Sequence, residues 1–218
     1  MYQTVSLKNS FWLFMICFIG CINKSNENQL PYYNTPDFSA VFLNSKADVD
    51  KKINHKISSF SLTDQHGDKI TDQMMEGKIH VANFIFTSCN SICPIMTKHM
   101  KKLQSEFGNN KEVAMLSFSV MPWIDNVDRL KNYATENQIK AKNWHLLTGN
   151  KTQIYNLARK DYFAEEDLGY SKDSTSFLHT EHIVLVDKTR RIRGIYNGTL
   201  ELEANQLIKD IKLLLKEE

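Results

Sequence analysis

The chain alternates short apolar runs with stretches in which apolar residues recur every three or four positions. The runs at 79–86 and 113–120 hold mostly strand-forming residues and read as buried strands. Between them Met96, Met100, Leu103 and Phe107 share one 3.6-residue face, which predicts a helix over 94–107. Pro94 suits its first position, where no backbone N–H is needed. A second helix is expected over 127–137, on Val127, Leu130 and Ala134, with Asp125 or Asn126 as its cap. Residues 144–147 read as a short strand and 152–162 as a helix. Residues 182–187 and 192–196 form a hairpin through Lys188-Thr189-Arg190. The chain ends in an amphipathic helix over 202–216, with Leu207, Ile208, Ile211, Leu214 and Leu215 on one face. Upstream, 60–64 reads as a strand and 65–68 as a turn. Strands separated by helices predict an α/β fold, a central mixed sheet with helices on both faces and a C-terminal β-hairpin plus helix.

That order of elements is the order of a thioredoxin-like fold. Such sheets place their sites beyond the C-terminal ends of strands, and here the 79–86 strand runs into Thr87-Ser88-Cys89-Asn90-Ser91-Ile92-Cys93-Pro94. The pair is CxxxC, where general thiol–disulfide oxidoreductases carry CxxC. Residues four apart on a helix lie about 5–6 Å apart at Cβ. A disulfide needs about 3.5–4.5 Å, so a small backbone shift would close one. The same two sulfurs could hold a copper ion from one side. Cys93, at or near the start of the helix, is expected to gain thiolate character from the free N–H groups and the helix dipole.

Composition sets the compartment. Lys8 is the only charge before Cys21, and 11–20 is almost wholly apolar but short for a membrane span. Residues 1–21 therefore read as an export signal, and Phe18-Ile19-Gly20-Cys21 resembles the lipobox of bacterial lipoproteins. On that reading Cys21 carries the lipid and Cys17 is discarded. The remainder is exported to the bacterial cell envelope and anchored to a membrane, where disulfides can form. Residues 22–52, polar and then bearing Pro31 and Pro36, read as a tether and extended lead-in, and 53–218 as one domain. Without Lys8 the chain has 26 Lys+Arg against 25 Asp+Glu, which gives no electrostatic footprint for nucleic acid.

A third site residue is expected at His179, in Ser176-Phe177-Leu178-His179-Thr180, just before the 182–187 strand. General thioredoxins place a cis-proline in that loop. The four prolines here, Pro31, Pro36, Pro94 and Pro122, lie elsewhere. A histidine there makes a Cys₂His donor set; thiolates favour Cu(I), and an imidazole helps to accept Cu(II).

Three segments carry a family resemblance: Asn83-Phe-Ile-Phe-Thr-Ser-Cys89-Asn-Ser-Ile-Cys93-Pro94, then Ser119-Val-Met-Pro122-Trp-Ile-Asp125, then Trp144-His-Leu-Leu-Thr-Gly149. With His179 following in order, the chain resembles the SCO/SenC family of copper-binding, thioredoxin-like, membrane-tethered proteins, from about residue 31 onwards. The resemblance implies Cys89, Cys93 and His179 as ligands for copper, as Cu(I), Cu(II) or both. It implies delivery to the copper-receiving subunit of cytochrome c oxidase, reduction of that subunit's cysteines, or both. Two departures stand out. Met121 replaces the Asp usual before Pro122, and the turn Asp187-Lys-Thr-Arg-Arg lacks its usual glycine.

Other residues read more plainly. Asp125 could orient a neighbour but suits a helix cap. His182 could join a zinc site, but strand alternation would point it away from His179. His99 is expected at the surface, and Met96 and Met100 in the core. Three functions stay open. One is a copper metallochaperone. Another is a thiol–disulfide reductase, with Cys89 and Cys93 as its redox pair and a thiol reductant donor behind it. The last is a copper or redox sensor.

Overall fold

In the computed structural model, which describes residues 29–164 and 180–217, one seven-stranded mixed sheet runs through the molecule. Its strands are β1 (Tyr32–Tyr33), β2 (Ala40–Val41), β5 (Ile79–Ile85), β6 (Val113–Ser119), β7 (Trp144–Leu147), β8 (His182–Val186) and β9 (Ile192–Asn197). They lie in the order β2-β1-β9-β8-β5-β6-β7. A separate antiparallel hairpin joins β3 (Ser61–Thr63) to β4 (Lys69–Thr71). The five α-helices among the described residues are α1 (Lys46–Lys52), α2 (Ile92–Phe107), α3 (Val127–Glu136), α4 (Lys151–Asn156) and α5 (Glu201–Leu214). The chain therefore has the expected α/β, thioredoxin-like architecture.

The centre is β5, parallel to β6 and antiparallel to β8. Every residue of β5 and β6 is buried, which is why both strands appear as mostly apolar runs without strict alternation. The pleat divides them between two cores. Ala82, Phe84, Leu116 and Phe118 face the β3–β4 hairpin and α4. Val81, Ile85, Val113 and Met115 face α2, α3 and α5, which contribute Met96, Met100, Leu103, Leu130, Leu207 and Ile211. At about 25 cal/mol per Å² of apolar surface removed from water, these two layers are the main favourable term in folding.

Three expectations change, and one departure finds its structural reason. First, α2 starts at Ile92 and not at Pro94, so Pro94 is its third residue. The chain tolerates this because the first four N–H groups of a helix have no partner within it. Second, the 152–162 helix is split. After α4 a π-helical turn spans Leu157–Asp161, and it delivers Tyr162 into the core against Phe84 and Phe118, with ring centroids 5.8 and 5.5 Å away. Third, the described part of the tether and lead-in is built into the fold. β1 pairs with β9, and Ser45 caps α1 by accepting from the Asp48 N–H. Arg193 donates to the carbonyls of Leu30 and Pro31. The departure is the β8–β9 turn, which does without glycine, as its sequence shows, by placing Arg190 at φ +68°. Asp187 accepts from the N–H groups of Thr189 and Arg191 on either side, and Arg190 pairs with Asp72 at 3.0 Å.

Candidate metal and thiol site

Beyond Ile85 the chain leaves the sheet and turns. The Cys89 N–H donates to the Phe86 carbonyl at 3.2 Å, and α2 begins three residues later. Ser91 occupies the cap position of α2, but its side chain makes no capping bond. Burial pushes the Cys89 thiol up, but the N–H groups of Cys93, Ser91 and Ile92 and the Cys93 thiol outweigh it and bring its pKa below the ordinary thiol value. These are the free donors at the positive end of a 16-residue helix. Because Pro94 has no N–H, the cradle ends there.

Cys93 differs. It lies in the second helical position and packs into the core of α2, α3 and α5. Burial pushes its thiol up to about 12, against the lowering contacts with the Phe86 and Cys93 backbone. The two thiols act on one another's ionisation, and both cysteines are free. Thiolate character was expected at Cys93 and lies instead at Cys89. The helix dipole acts along the axis ahead of the first turn, where Cys89 sits, whereas Cys93 is inside that turn and facing the core. Both residues are largely buried, at 8 % and 3 % exposure.

The turn is held from behind by Asp125, which is fully buried. Its carboxylate accepts from the Thr87 N–H at 3.1 Å, the Thr87 hydroxyl at 2.6 Å and the Ser119 hydroxyl at 2.6 Å. It does not cap α3. Asn126 does so, accepting from the Arg129 N–H. Beside the thiols, Tyr133 shares a 2.7 Å hydrogen bond with Thr97, one turn after Cys93. Burial, then the neighbouring Cys93, Cys89 and Asp125, raise the Tyr133 phenol despite that bond. Thr87, Ser119 and Tyr133 carry no mark in the sequence, since each acquires its neighbours only when elements distant in the chain are brought side by side.

Met96 and Met100 lie in the core, as expected. His99 does not lie at the surface. It is buried and bonds the Gly198 carbonyl through Nδ1 at 2.8 Å. Its position three residues after Met96 puts it on the apolar face of α2, a signal the sequence does contain. Met121 is partly buried against the hairpin-side core. His182 shares a 3.2 Å contact with the Ala164 carbonyl through Nδ1. Residues 1–21, with Cys21, and also His179 lie outside the described residues. Among the described residues no third His, Cys, Asp or Glu joins the two thiols in a metal-binding group, and no helix is long and apolar enough to cross a membrane.

Comparison with known proteins gives consistent matches. The SCO1/SenC family model matches residues 49–216. A SCO1 protein homolog of Bacillus subtilis is 31% identical over 162 residues, covering 73% of this chain and 83% of the relative. The crystal structure of a SCO1/SenC family lipoprotein from Bacillus anthracis is similar with a TM-score of 0.65 and 29% identity, over 75% of this chain and 97% of that one. BsSco, a member of the Sco family of cytochrome c oxidase assembly proteins in which a disulfide switch was identified, gives 0.63 and 28% over 76% and 96%. Bradyrhizobium japonicum ScoI, solved with copper bound, gives 0.57 and 24% over 72% and 98%, a likeness of fold.

Proposed function

The chain belongs to the SCO1/SenC family, and from that premise we propose that it is a copper carrier that takes one copper ion on Cys89 and Cys93, with His179 as third donor. The observation that carries this reading is the pair of free thiols on one turn at the start of α2, each acting on the other's ionisation. Two soft sulfurs converging on one point suit Cu(I), and an added imidazole widens the choice to Cu(II). The sulfurs must be reduced, because a disulfide has no thiolate to offer. In this reading the acceptor is the copper-receiving subunit of cytochrome c oxidase, which the description of BsSco as a cytochrome c oxidase assembly protein supports. Residues 1–21 would direct export to the bacterial cell envelope, and lipid on Cys21 would tether the carrier through 22–52 to a membrane.

The placing of both free thiols on one turn, each shifting the other's pKa, also favours a second reading, a thiol–disulfide reductase. In that reaction the two cysteines reduce a target disulfide to two thiols and become a disulfide themselves. A thiol reductant donor must then return two electrons and two protons.

Copper titration of the reduced protein, followed by mixing with a purified apo copper subunit, separates the two. The carrier reading expects roughly one copper per chain and transfer to the subunit. Cys89→Ser, Cys93→Ser and His179→Ala should each weaken binding by at least about a hundredfold. A wild type that takes up no copper refutes it. Reduction of a target disulfide that survives His179→Ala supports the reductase.

A further inference from the structure

The functional turn is fastened to the neighbouring strand through a single buried carboxylate. Thr87 lies two residues before Cys89, and both its polar groups are bound to Asp125, the N–H to Oδ2 at 3.1 Å and the hydroxyl to Oδ1 at 2.6 Å. Asp125 is in turn fixed from the β6 side. Its Oδ2 accepts from Ser119 at 2.6 Å, the Ser119 Oγ accepts from the Met121 N–H at 3.1 Å, and the Asp125 N–H donates to the Met121 carbonyl at 2.8 Å. Arg129 closes the set. Its Nε donates to the Thr87 Oγ1 at 2.7 Å and lies 3.5 Å from Asp125 Oδ1.

The energetics argue that this is more than packing. A carboxylate at 0 % exposure is costly unless its lone pairs are filled. Here three donors and a guanidinium fill them, and two of the three donors belong to the one residue that leads into the cysteine turn. An apolar side chain would fill the same volume without that desolvation cost. What it could not do is hold the backbone at Thr87 in one direction, and so set where the Cys89 sulfur meets the N–H groups of α2.

We infer that Asp125 is a positioning residue for the thiol pair: acting through Thr87, it holds the turn 86–89 in the arrangement in which both cysteines are reduced and converge. This rests on the reading of Cys89 and Cys93 as the functional pair. It requires no copper, so it is tested separately from copper carriage. Without the fastener the turn loses its fixed direction and the dithiol its pre-arranged geometry. The balance between dithiol and disulfide then moves towards the disulfide.

The test equilibrates the protein with glutathione, where the protein disulfide and two glutathione thiols exchange with the protein dithiol and one glutathione disulfide, two electrons in all. Asp125→Asn and Thr87→Val should each shift this equilibrium at least threefold towards the disulfide. Thr87→Ser, which keeps the hydroxyl, should stay within threefold of wild type. So should Tyr196→Phe, which breaks a 2.7 Å bond to Asp210 and controls for lost stability alone. If Asp125→Asn does not fold, Thr87→Val decides. A folded Thr87→Val shifted less than threefold, or shifted the other way, overturns the inference. So does a Tyr196→Phe shift as large as that of Thr87→Val. A wild type that binds no copper would refute carriage and leave this measurement intact.

Discussion

The two ends of the β5–β8 pair put buried polar groups to opposite uses. At one end, where Val186 pairs with His80, Arg193 is buried with every donor committed. It binds Glu217 at 2.7 and 3.1 Å, Asp187 at 3.5 Å and the carbonyls of Leu30 and Pro31, and it lies over the Tyr32 ring. Arg191 beside it is engaged with Ile53, Thr189 and Asp50. At the other end, beyond Ile85, the N–H groups of residues 91–93 act on the Cys89 sulfur and help to lower its pKa. A polar group whose partners are all fixed is structure. One whose donors converge on an exchangeable atom is equipped for chemistry.

The strongest way to break this contrast is to exchange the effects. Arg193→Met leaves Asp187 and Glu217 without their cation and should cost about 3–5 kcal/mol of stability, read as a fall in urea midpoint. The dithiol equilibrium of the folded protein should not move. If it does, the two ends are not independent.

At the Arg193 end, His80 offers a sharper test of what full burial does. Desolvation, then the charge of Arg190, lowers its pKa from 6.5 to about 3. Its Nε2 meets the Tyr162 hydroxyl at 3.1 Å, and its Nδ1 has no partner. As the pH falls below about 6.5 the unfolded chain takes up a proton that the folded chain refuses. This contribution is therefore fully present above that pH. It drains away between 6.5 and 3, by up to about 1.4 kcal/mol per pH unit. Urea midpoints at pH 7, 5 and 4 should diverge between wild type and His80→Leu, with the shallower slope in the variant.

The smallest effect concerns the caps. Asn126→Ala removes a conventional cap, a side-chain oxygen 2.9 Å from the Arg129 nitrogen, and should cost about 1 kcal/mol. The thiol equilibrium should be unchanged, since Asp125 and not Asn126 holds the cysteine turn. A cost above about 2 kcal/mol would show α3 to be tied to the site more closely than this.

The long elements were legible because burial imposes a pattern. β5 and β6 are buried throughout and mostly apolar, α2 and α5 carry clean faces, and Trp144–Leu147 matches its expected limits. The two-residue strands β1 and β2 were not legible, since they are made by backbone pairing that leaves no period in the side chains. The π-turn after α4 was hidden because its insertion of Tyr162 depends on Phe84 and Phe118, both distant in sequence. At the site, Cys89 and Cys93 stood out by spacing, but the division of labour between them did not. It depends on where α2 begins, and Pro94 drew that start two residues too late. His99 was readable from its place beside Met96. Asp125 was not, because a short acidic residue before a helix looks the same whether it faces the helix or the interior.

The uncapped start of α2 has a consequence for how cargo would leave. A carrier is judged by release as much as by grip. Backbone N–H groups that already draw on the Cys89 lone pairs leave less electron density for a metal bond. They also stand ready to receive the sulfur again as soon as a recipient pulls the ion away. The fold would thus loosen its own hold in advance, and the empty carrier would return to rest with no donor stranded.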